Sequence, residues 1–141
     1  MSGISLPPRI LLLHKQKTSG RLRYLRLPGG MLCFEPLPGE STLFSSETPH
    51  AAAIHPAGFL RQTEEKLELP PDSIEAVTDF HCWASGPDGD IPILLGGFTG
   101  IDPPFAAAEA LGGKFINITE ARGIVAIELD LMRRAYEHVL G

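Results

Sequence analysis

Apolar residues fall in short runs along this chain, and their spacing alternates between the strand period and the helix period. The first run, "PRILLLHKQ" over residues 8–16, is continuous and predicts a strand. "KTSG" supplies a turn. Residues 21–27, "RLRYLRL", then alternate, with Leu22 and Tyr24 on one face and Arg21, Arg23 and Leu25 on the other. After "PGG", the stretch "MLCFE" (31–35) predicts a third short strand, which completes a three-stranded meander with a cationic side.

Residues 36–49 are rich in Pro, Gly and Ser and read as a loop, long enough to suggest function or mobility. Thr48-Pro49 and His55-Pro56 are two candidate helix starts. An interior proline costs about 3 kcal/mol in a helix, so the pattern predicts a helix from His55-Pro56 to about Glu68 rather than one unbroken helix from residue 49. Phe59, Leu60 and Leu67 are its apolar anchors, and "LPPD" stops it. Residues 73–84 alternate as one strand, "SGPDGD" turns the chain, and "IPILLGGF" (91–98) returns as its hairpin partner. Asp102 then reads as an N-cap with Pro103 at the first helical position, "FAAAEAL" as a short helix, and Gly112 as its end. "KFINI" (114–118) predicts a last strand. A final helix is expected from Thr119 or Gly123 to Leu140, with Val125, Leu129, Met132, Tyr136 and Val139 on one stripe and Ile124, Ile127, Leu131 and Ala135 beside it.

From residue 31 the order is strand, helix, strand, strand, helix, strand. This predicts an α+β domain with a ferredoxin-like (split βαβ) antiparallel sheet, an extra N-terminal β-hairpin, a C-terminal helix and helices on one face. The length of 141 residues fits a single domain, 1–141, able to hold a core without metals or disulfides. No apolar run is long enough to cross a membrane, and the early run ending at His14 is too short for a signal-peptide core. With two cysteines and no metal-ligand spacing, the expected location is cytoplasmic.

Charge changes this picture in one respect. Residues 1–34 hold six basic residues and no acid, whereas the rest holds all 17 acids against six basic residues. The net charge of −5 argues against nucleic acid as a partner, because phosphate-driven affinity needs a dominant positive field.

Four groups of residues could carry chemistry. The loop "GGFTGIDPP" (96–104) could cradle an anion at a helix start, but its prolines remove donors and Asp102 repels anions, so a structural turn is the better reading. Asp79, His81 and Trp83 alternate onto one strand face, where a carboxylate-supported histidine could act as a base beside an aromatic platform. His50 and His55, with Cys33 and Cys82, could supply metal ligands, but a spacing of five is wrong for one helical face and no metal is expected. Arg21, Arg23 and Arg26 with Tyr24 and Phe34 could bind RNA or a phosphorylated ligand, or simply face solvent or protect a sheet edge, which is the better reading.

No cofactor fingerprint is present. The sequence therefore leads to the expectation of a small domain that dimerises and binds a protein or small-molecule partner without chemistry of its own. The alternative is a small-molecule-binding domain or enzyme with a cleft between the sheet and the 36–56 loop, using His81, Asp79 and His50; Trp83, Arg23 and Tyr24 are weaker binding candidates.

Overall fold

The computed structural model describes residues 6–46 and 55–140. Among them the protein is mixed α+β, with an open eight-stranded sheet and three α-helices. The strands are β1 (Arg9–Lys15), β2 (Leu22–Arg26), β3 (Leu32–Cys33), β4 (Thr42–Ser45), β5 (Ile74–Ala76), β6 (Cys82–Gly86), β7 (Gly89–Phe98) and β8 (Lys114–Ile116). The helices are α1 (Ala57–Lys66), α2 (Phe105–Ala110) and α3 (Ala126–Leu140).

The spatial order is β4-β6-β7-β1-β2-β8, with β3 on β1 and β5 on β7. The ferredoxin-like order is not confirmed: β1, expected in a peripheral hairpin, lies at the centre and pairs in parallel with β7, from Arg9↔Ile93 to Leu13↔Gly97. The predicted hairpins do form, β1 with β2 and β6 with β7, both antiparallel. The meander does not continue, because β3 pairs with β1 rather than with β2. The chain steps out through a tight turn between Leu27 and Gly30, then returns to the same edge of β1.

The helices cover both faces of the sheet, not one. Residues 10–14 of β1 are all buried, which is what a central strand covered on each side requires. Leu11 and Leu13, with Ile91, Ile93 and Leu95 of β7, pack beneath Leu131, Met132 and Ala135 of α3. Ile10, Leu12, Leu94 and Phe98 face the other way, into a core shared with Leu60 of α1 and Ala108 of α2. Gly96 makes this second layer possible: a Cβ there would lie 2.9 Å from both Ile10 Cδ1 and Ile74 Cγ2.

α3 is turned toward the row expected beside the stripe, Leu131 and Ala135. Glu128, Leu131, Met132 and Ala135 are buried, whereas Val125 is 60% and Tyr136 40% exposed. Two buried glutamates join helices to strand ends. Glu128 Oε1 accepts the Met31 N–H at 2.9 Å, and Glu64 Oε2 of α1 accepts the Ile74 N–H at 3.0 Å. Each meets a backbone donor that would otherwise be buried without a partner.

Candidate functional site

The strand expected over 73–84 is two strands. β5 pairs with the far end of β7 and β6 with its near end, while residues 77–81 belong to neither strand, although the Val77 N–H still bonds the Leu95 carbonyl of β7 at 2.9 Å. This break redistributes Asp79, His81 and Trp83. Cys82 and Ala84 point into the core under α3, so Trp83 between them faces the opposite side of the sheet, where its ring stacks on Phe44 (6.0 Å between centroids, 7° between planes). His81 instead lines a shallow recess of about 350 Å³ with Phe80, Ser45 and the α3 residues Arg134, Glu137 and His138.

Asp79 does find a histidine, and it is His138 in the last turn of α3: the two meet at 3.0 Å, Nε2 to Oδ1. The hydrogen bond from His138 holds the exposed Asp79 carboxyl below its ordinary value, and His81 adds a smaller attraction. Phe80 supports the pair edge-on, 5.4 Å from the His138 ring. Arg134 spans the recess, donating to Asp130 at 3.3 Å and to Ser45 Oγ at 3.2 Å. The structure thus brings Asp79 and His81 together with His138, which the sequence reading missed, and moves Trp83 away. His50 lies outside the described residues.

The remaining candidates separate. Cys33 packs in the core under α1 and α2, and Cys82 in the core under α3, so the sheet lies between them. Burial pushes the Cys33 thiol up to about 12 and the Cys82 thiol up to about 11, which leaves both protonated and poorly nucleophilic at neutral pH. His55 is exposed. Among the described residues no group of three or more His, Cys, Asp or Glu is placed to hold a metal ion. Tyr24 is fully buried, and its hydroxyl donates to the Met132 carbonyl at 2.9 Å; burial raises its pKa, with Tyr136 adding to the effect. Arg23, on the opposite face, lies 6.0 Å over the Phe105 ring. The two therefore cannot share one ligand on one face.

The glycine-rich loop is tied down through its carbonyls. His14 Nε2 donates to Gly100 O at 2.8 Å, and Gln16 Nε2 to Ile101 O at 3.2 Å. Asp102 does not cap α2; Pro104 occupies the N-cap position with no side-chain hydrogen bond. A loop that turns carbonyls toward its neighbours is a poor cradle for an anion, so the turn reading is the one this geometry supports.

A second recess, of about 420 Å³, opens at the other end of the parallel pair, between the start of β1, the segment after β3 and α1. Its wall is stiffened by Arg9. That guanidinium donates to the carbonyls of Glu35 (3.0 Å), Pro7 (3.0 Å) and Pro36 (3.4 Å), and lies 3.5 Å from the Glu35 carboxylate.

No protein-family model matches the chain, and no curated protein matches it. Among the described residues no helix is long and apolar enough to cross a membrane.

Proposed function

We propose that this chain is a binding domain that assembles as a homodimer through β4 and carries no chemistry of its own. The observation that carries this reading is the sheet edge at β4. Among the described residues, Thr42-Leu43-Phe44-Ser45 pairs on one side only, with β6. Its sequence holds no charge, Phe44 is 36% exposed, and three of its four residues are exposed. An uncharged edge with free backbone groups is a template for another strand.

A two-fold axis between Leu43 and Phe44 would set Leu43 opposite Phe44 and Thr42 opposite Ser45 of a second copy. No like charges then face each other. The opposite edge differs. β8 begins with Lys114, in register with Arg26, so two copies meeting there would bring positive charges together. The polar groups nearest the core also favour a binding role over a catalytic one. Glu64, Glu128, Arg9 and His14 are each engaged in holding backbone groups of the fold.

Sedimentation equilibrium of the full chain tests the proposal. A dimer is expected, with Phe44→Lys monomeric and still folded by circular dichroism; a wild-type monomer contradicts it.

A further inference from the structure

We propose that the recess beside Arg9 is a binding site for a small aromatic monoanion. This goes beyond the dimer and does not depend on it. The recess volume of about 420 Å³ falls in the range of small-molecule sites. Phe34, Phe59 and Ile91 give it an apolar lining, and Lys66 and Asp88 stand among its charged residues.

Lys66 decides the sign of the ligand. Its ammonium lies 4.9 Å from the centre of the Phe34 ring, and among the described residues no carboxylate is within ion-pair distance of it. The other cation of the recess, Arg9, lies 3.5 Å from the Glu35 carboxylate and is fixed by three carbonyls, so its donors are already engaged. One cation thus remains available above an aromatic face. A planar ring carrying one negative group fits this arrangement. Its ring lies against Phe34 and Phe59, where aromatic contacts add to area burial, and its anion meets Lys66.

Asp88 selects against a second negative charge. It lines the same recess and does not pair with Lys66. Polyanions such as nucleoside polyphosphates would bring uncompensated charge toward it, so the class is a monoanion, with the charge on a carboxylate or sulfonate. The site also differs from the cleft expected from sequence: it uses the start of the 36–56 segment, through Pro38, but neither His81 nor Asp79.

The probe is 8-anilinonaphthalene-1-sulfonate, titrated by fluorescence into the native full-length chain. Saturable binding of one probe per chain is expected. Lys66→Gln, which removes the charge and keeps a good helix former, should weaken it about tenfold. Lys114→Gln on the far sheet edge should leave it unchanged, as should Phe44→Lys at the proposed dimer edge. Benzoate should displace the probe from the wild type, and benzene hexacarboxylate should not. Absence of saturable binding overturns the proposal. So does equal affinity in Lys66→Gln, or loss of binding in Phe44→Lys, which would place the probe on the β4 edge instead.

Discussion

Glu128→Ala removes the acceptor that Met31 uses. The wild-type carboxylate is 3% exposed, takes the Met31 N–H at 2.9 Å, and presses on the turn at Gly30 so closely that a Cβ there would lie 2.7 Å from Oε1. With alanine, a buried backbone donor loses its partner. Hydrogen bonds to charged groups contribute about 1.5–3 kcal/mol. Glu128 also sits in the first turn of α3, where a negative charge adds roughly 0.3–1 kcal/mol through the helix dipole. Desolvation of the carboxylate opposes both contributions, so the expected loss is about 2–3 kcal/mol, a large part of the roughly 5–15 kcal/mol typical of a whole domain. At about 4 °C per kcal/mol for a chain of this size, the melting temperature should fall by roughly 8–12 °C. Glu128→Gln keeps an oxygen acceptor and loses the charge, and neutral hydrogen bonds are about half as strong, so its loss should be about half as large. Scanning calorimetry of the three proteins measures this. A melting temperature in Glu128→Ala equal to wild type would refute the reasoning, as would Glu128→Gln being the worse variant.

Three further outcomes follow from the packing. Gly96→Ala should cost about 1–3 kcal/mol in urea unfolding, because the new methyl meets Ile10, Ile74 and Leu12 at once. Cys33 and Cys82 should stay silent to Ellman's reagent at pH 8 in the native protein and react once guanidinium unfolds it, since burial holds both thiols protonated. Asp79 has a lowered folded pKa, so its contribution to stability is present above its unfolded value of about 4 and lost as pH falls through the folded value. The stability gap between wild type and Asp79→Asn should therefore close on acidification below about pH 4, and a gap that widens there would contradict the Asp79–His138 pairing.

The apolar runs located most strands and helices. They did not reveal how the sheet is ordered. "ILLL" in β1 and "IPILL" in β7 are continuous rather than alternating, and that continuity is the mark of strands covered on both faces. That continuity marks the two strands as buried on both faces but carries neither their order nor their direction. The break at residues 77–81 had no such signal, because Val77 and Phe80 fit either an unbroken strand or two strands joined by a bulging turn, and only the register against β7 separates them. Splitting Trp83 from His81 follows from that break. The burial of Glu64 and Glu128 had no local signal either; it depends on backbone amides at strand ends, Ile74 ten residues from Glu64 and Met31 97 residues from Glu128. His138 was missed for a related reason: its partner Asp79 is 59 residues away, and no local pattern joins them.

The β4 edge carries the dimer proposal, and sedimentation equilibrium of the chain addresses it directly. The expected result is a dimer mass for the wild type and a monomer mass for folded Phe44→Lys. A wild-type chain that sediments as a monomer across the accessible concentration range would contradict it.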